Sequence, residues 1–128
     1  MDNPLIIYYA IKDLTEQMAS FGDYIAARRK ALNLKQKDLA AKIKKEDGTH
    51  ISIPYLHDVE AGKRNPPSDD MIEQLGTILD VPADILYFYA ERMPSDLKRF
   101  DVPEKQILAA FGAFRRKVFA AGKKRKRK

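Results

Sequence analysis

The stretch "HISIPYLHDVEAGKRNPP", His50 to Pro67, decides the reading of this chain. Ser52 is suited to cap a helix that follows it, and Pro54 sits in the first turn, where a missing N–H costs nothing. The residue before a proline disfavours the α region, so Ile53 is expected to push the helix start along by one. At 100° per residue Leu56, Val59 and Glu60 group on one side. Pro54, His57, Asp58 and Ala61 point the other way, with Tyr55 and Ile53 on the flanks. Gly62 stops the helix. Lys63, Arg64 and Asn65 follow, and Pro66-Pro67 closes the loop. The result is a short helix with an apolar back, a small or polar front and a cationic exit.

The flanking sequence supplies the support such a helix needs. Upstream, "SFGDYIAARRKALNL" opens with Ser20 as a cap and Asp23 three residues on, and Phe21, Ile25 and Leu32 mark one face. Asn33 stands where the chain needs a left-handed residue, and Leu34 turns back onto the helix. "KQKDLAAKIKK" reads as a second helix, Lys35 to Lys44, with Leu39, Ala40 and Ile43 inward. Asp47-Gly48 is a turn signal inside the segment Lys44–His50. Downstream, Ser68 caps "PSDDMIEQLGTILDV", whose Ile72, Leu75, Ile78 and Leu79 face inward and whose acids sit at the positive end of the dipole. "PADILYFYAERMP" is a fifth helix with Ile85, Leu86 and Tyr89 apolar.

Both ends carry more helix. In residues 1–19 Ile7, Ile11, Leu14 and Met18 fall at helical spacing. Residues 95–120 hold a helix that Asp101 is expected to cap, with Ile107, Phe111, Phe114 and Val118 as a stripe whose role is packing, on a dimer partner or on the N-terminal extension. Residues 121–128 end in "KKRKRK", a run expected to be disordered alone. The expectation is an all-α chain: an extension over 1–19, a five-helix domain over 20–94, an added helix over 95–120 and the basic tail.

Composition narrows the function. The net charge of +6 belongs to Lys123–Lys128, since the remaining residues hold 18 basic and 18 acidic side chains. Within those, Phe21–Pro67 carries ten basic and six acidic residues, whereas Ser68–Asp101 carries three and eight. Segregated charge of this kind points to a polyanionic partner at the basic surfaces. The chain has no cysteine, which removes disulfides and thiolate metal sites and fits a reducing cytoplasm. Two histidines without ligand spacing do not make a metal site. The apolar "PLIIYYAI" is too short for a membrane span and lacks the flanks of a signal peptide. No phosphate loop, nucleophile elbow or histidine–carboxylate cluster suggests an enzyme, and no cofactor is implied.

A helix backed from behind, beside a second short helix and a cationic loop, is what a major-groove reader requires. The chain here resembles the lambda-repressor/Cro-like, or Xre-type, bacterial helix-turn-helix regulators. The resemblance spans Phe21 to Met93 and rests on "FGDYIAARRKALNLKQKDLA", "IS…LHDVEAGKRNPP" and "MIEQLGTILDVPADIL". Most specific is Gln36-x-x-Leu39-Ala40 taken together with Glu60-x-Gly62 and Pro66. It implies a cytoplasmic, bacterial DNA-binding regulator that reads double-stranded DNA with the helix Ser52–Ala61. Ile53, Pro54, His57 and Asp58 match base-facing positions. Gln36, Tyr55, Lys63, Arg64 and Asn65 match phosphate contacts, and Glu60 matches an acid paired with a first-helix arginine, here Arg29. An inward carboxylate needs such a partner, because leaving it unpaired costs several kcal/mol; Arg28 is the next candidate.

Two departures accompany the match. The link between the second and third helices is about six residues longer than the family's turn, around "KKEDGTH". The outward face of the third helix also lacks Gln, Asn, Arg and Lys, the usual bidentate base readers. Two functions follow. One is a sequence-specific repressor acting as a homodimer through the outer helices, with the basic tail as a non-specific DNA arm, a solubilising tail or, in a eukaryotic host, a nuclear import signal. The other is a protein-interaction adaptor or antitoxin on the same fold, binding a protein through the C-terminal helix.

Overall fold

The computed structural model describes residues 20–123, whose regular elements are all helices, with no strand among them. The extension over 1–19 and the last five residues of the tail lie outside the described residues. The helices are α1 (Phe21–Ala31), α2 (Gln36–Ala40), α3 (Ile53–Glu60), α4 (Asp69–Leu79), α5 (Ala83–Tyr89) and α6 (Glu104–Ala121), with a 3₁₀ turn over Leu97–Arg99. Two compact units divide the chain, the first ending at Ser95 and the second starting at Asp96.

Three serines start helices in the first unit, and each does so with its own hydroxyl. Ser20 accepts from the Asp23 N–H, Ser52 from Tyr55 and Ser68 from Met71, at 3.0, 3.1 and 3.3 Å. Helix α3 begins at Ile53 itself, so Pro54 falls on its second residue and the anticipated slip does not occur. Asn33 ends the α1 turn at φ 57°, and the Leu34 N–H reaches back to the Arg29 carbonyl at 3.1 Å. Gly62, at φ 76°, ends α3.

The core lies between α1, α3, α4 and α5. Helix α1 packs on α3 and α5, α2 on α3, and α4 on α5. Ile25, Leu39, Ile72, Leu79 and Leu86 are fully buried, with Leu56 and Leu75 nearly so. In α5 the second deep residue is Tyr87, whereas Ile85 and Tyr89 are only partly covered. The Tyr87 hydroxyl makes this burial possible by donating to Glu73 Oε2 at 2.6 Å. One glycine is dictated by packing: a Cβ on Gly22 would stand 2.4 Å from the Val59 carbonyl oxygen and 2.5 Å from that of Glu60. Helix α1 therefore rides directly on the C-terminal turn of α3.

The second helix is shorter than its sequence suggests. It ends at Ala40, and the chain then enters a small hairpin, with Lys44 and His50 bridged in antiparallel fashion. The Ile51 N–H donates to the Ile43 carbonyl at 3.0 Å, and the Lys45 N–H to Thr49 at 2.7 Å. Gly48 takes φ 87° in the turn. Ile43 and Ile51, both buried, fix the two legs. Gln74 of α4 holds the outer leg from both sides, its Oε1 accepting from the Lys44 N–H and its Nε2 donating to the Lys44 carbonyl. The inserted residues are thus a pinned hairpin.

In the second unit α6 starts later than expected. Asp101 does not cap it; the N-cap is Pro103, with no side-chain bond. The residue before a proline is biased away from the α region, and Val102 stays outside the helix here, whereas Ile53 in the same position of α3 enters it. None of the α6 residues is buried.

Candidate nucleic-acid interface

Helix α3 is built around a buried ion pair. Arg29 Nε donates to Glu60 Oε2 and Nη2 to Oε1, both at 2.8 Å, in a bidentate fork. Both residues are buried. The carboxylate also accepts from Gln36 Nε2 at 3.0 Å, and Arg29 Nη1 reaches the Leu34 carbonyl at 2.9 Å. One pair therefore ties α1, the α1–α2 turn, the start of α2 and the end of α3 together. Such a pair stabilises only when its remaining hydrogen-bonding capacity is used, and here it is. Gln36, matched by resemblance to a phosphate contact, thus has its side-chain amide committed inward to Glu60. The Lys35 N–H at the same helix start is met by the Asp38 carboxylate at 2.9 Å.

Opposite the pair, Ile53, Pro54 and His57 are exposed and Asp58 is half-exposed. Tyr55, on the flank, packs partly on the core. An open notch of about 630 Å³ lies along this flank, lined by Tyr55, Asp58, Lys63, Arg64 and Asn65. Four of the five residues matched to phosphate contacts thus come together with one of the four matched to bases. Ile53, Pro54 and His57 share the outward side of α3 but do not line the notch. The Arg64 guanidinium sits 5.5 Å from the Tyr55 ring centre and 3.9 Å from Asp58 Oδ2. With side chains this exposed the pair contributes little stability. Its effect is local: the cation offsets the charge of Asp58, and the ring holds the guanidinium beside α3.

The loop after α3 is fixed at both ends. The Lys63 N–H donates to the Asp58 carbonyl at 2.9 Å, which closes the helix. At the far end Arg92 Nη1 donates to the Pro67 carbonyl at 2.7 Å and to Asp69 Oδ1 at 2.9 Å, and Nη2 to the Pro66 carbonyl at 3.2 Å. Sequence reasoning missed Arg92, and it offered Arg28 only as the second candidate to pair with Glu60, which Arg29 takes instead. Arg28 donates from Nε to the Leu79 carbonyl and from Nη2 to Asp80, at 2.7 and 3.1 Å, capping the negative end of α4. A backbone carbonyl leaves no mark in the sequence as an acceptor, so Arg28 could not be assigned its partners there, nor Arg92 its two proline carbonyls.

The arrangement offers a short exposed helix face for a groove and a preset cluster of donors for anionic oxygens. Among the described residues no group of three His, Cys, Asp or Glu side chains is placed to hold a metal ion, and no helix is long and apolar enough to cross a membrane. Residues 25–86 match the helix-turn-helix family model HTH_3. No curated protein and no solved structure gives a match.

Proposed function

Residues 25–86 form a helix-turn-helix domain of the lambda-repressor-like, Xre-type family of DNA-binding regulators, and from this premise we propose that the chain is a sequence-specific transcriptional repressor that binds double-stranded DNA as a homodimer. The observation that carries the proposal is the notch of Tyr55, Lys63, Arg64 and Asn65 set beside the exposed face of α3. Phosphate contacts from such a loop fix the register of a protein on the duplex, and the helix face beside them reads the bases. Ile53 and Pro54 offer apolar surface to a thymine methyl. His57 offers a donor or an acceptor, and Asp58 an acceptor for a cytosine amine. Gln36 acts here through Glu60, by holding the start of α2 against the end of α3, and Arg29 and Glu60 keep the reading helix at its angle.

Selection of bound fragments from a random DNA pool tests the proposal. A two-fold symmetric consensus with half-sites about 34 Å apart, centre to centre, is the expected result. Retained DNA without any consensus would overturn sequence-specific repression. It would favour the adaptor reading, to which a face without Gln, Asn, Arg or Lys lends its one specific support.

A further inference from the structure

Helix α6, in the second unit, carries an apolar stripe that is left exposed. Ile107, Phe111, Phe114 and Val118 are exposed to 40, 42, 52 and 40 %, and Leu108 and Phe119 on one shoulder to 72 and 77 %. The first four follow a 4-3-4 spacing, which places them on one stripe of an α-helix. We infer that this stripe is a self-association surface on which α6 pairs with α6 of a second copy, antiparallel. The inference deepens the homodimer of the preceding reading by naming its face and its direction, and it is tested without DNA.

Charge sets the direction. From Lys105 to Lys128 the chain holds ten basic residues and no acid. A parallel pair would lay Arg115, Arg116, Lys117 and the run from Lys123 alongside the same residues of its partner, with nothing between to neutralise them. An antiparallel pair instead sets each basic end beside the other copy's helix start, where Asp101 and Glu104 are the nearest acids in sequence. Side-chain shape agrees with this direction. The 4-3-4 spacing is unchanged by reversal, so Ile107 lies opposite Val118 and Phe111 opposite Phe114. β-Branched residues then meet at the two ends and aromatic rings in the middle, as an isologous two-fold interface requires. Two such faces with their shoulders remove on the order of 1,000 Å² from water, taking about 150–250 Å² for a fully buried aromatic ring and roughly half of that here. That reaches the lower range of a specific interface.

The absence of native cysteines makes the test direct. Glu104→Cys and Ala121→Cys are prepared separately in the full chain, about 25 Å apart along the helix at 1.5 Å per residue. Each is oxidised alone and as an equimolar mixture, and sedimentation of the unmodified chain is followed with and without Phe111→Glu. The expected result is a covalent dimer in the mixture only, with Phe111→Glu weakening self-association at least tenfold while the far-ultraviolet spectrum is retained. Covalent dimers from each variant alone would establish a parallel pair and overturn the inference. So would a monomer at all concentrations, or a dimer indifferent to Phe111→Glu. A parallel pair or a dimer indifferent to Phe111→Glu overturns this inference and leaves the homodimer of the preceding reading standing, a monomer overturns both, and failure of the DNA selection leaves the crosslink result untouched.

Discussion

Glu60 shows how one side chain can organise a fold. Its carboxylate is buried and receives three hydrogen bonds, two from Arg29 and one from Gln36. Removing it leaves the Arg29 guanidinium buried without its counter-ion. Glu60→Ala should therefore cost about 3–5 kcal/mol in chemical denaturation, the range for breaking a buried pair on one side. Replacing both partners with apolar residues, Arg29→Met with Glu60→Leu, should recover most of that loss. A single variant as stable as the wild type would remove the pair from its central place. Tyr87 is a second site where burial fixes chemistry. Its ring is buried, and loss of water together with the nearby Glu73 carboxylate holds its phenol above the usual value of 10.0. Because the neutral form is the one favoured in the folded state, this contribution to stability is intact below pH 10. It is lost as pH rises through the folded value. The absorbance titration of the wild type minus that of Tyr87→Phe should accordingly show a phenol ionising later than a free tyrosine.

Single elements explain what could and could not be read from the sequence. The caps at Ser20, Ser52 and Ser68, the left-handed Asn33 and the stripe Ile72, Leu75, Leu79 were legible because each signal and its consequence lie within one helical turn. Helix α2 was misread past Ala40 for a related reason. Leu39 and Ile43 are four apart and both buried, as a helix would have them, but Ile43 is buried from a hairpin whose partner leg is eight residues further on. The anchors Gln74, Arg92 and Arg28 act over 25 to 52 residues in sequence and follow no period. Glycine 22 belongs with them: its absent side chain is required by the Val59 and Glu60 carbonyls, which approach from another helix. Gly22→Ala should force α1 off the end of α3 and cost about 1–3 kcal/mol, the usual range for overpacking. The same change in an exposed helix interior would stabilise instead, by roughly 1 kcal/mol, so the sign of the measured change decides whether the close approach is real.

At the scale of the whole molecule, the reading of this chain as a DNA-binding regulator separates two kinds of residue that a single affinity would mix. Lys63 and Arg64 sit on a loop held at one end by the helix closure and at the other by Arg92. As proposed above, they reach phosphate oxygens, which carry no sequence information. His57 is exposed on the outward side of α3, the side proposed above to meet base edges, and Asp58 is half-exposed beside it. Counterion release then gives the two classes different signatures. Each lysine or arginine that neutralises a phosphate adds about −0.9 to the slope of log affinity against log salt. Lys63→Ala with Arg64→Ala should flatten the slope by up to about 1.8 and leave the selected sequence unchanged. Deleting Lys123–Lys128 should flatten it as well, if the tail serves as an arm, again without altering preference. His57→Ala should do the reverse, relaxing preference at one position of each half-site while the slope stays within error. Arg92→Ala makes the sharpest case, since that side chain anchors the loop from below at the Pro66 and Pro67 carbonyls. Freed of the anchor, Lys63 and Arg64 must be ordered at the moment of binding, so affinity should fall on all sequences alike. An Arg92→Ala chain that binds as tightly as the wild type would mean that the loop needs no fixing, and that the notch beside α3 is not where the backbone of DNA is held.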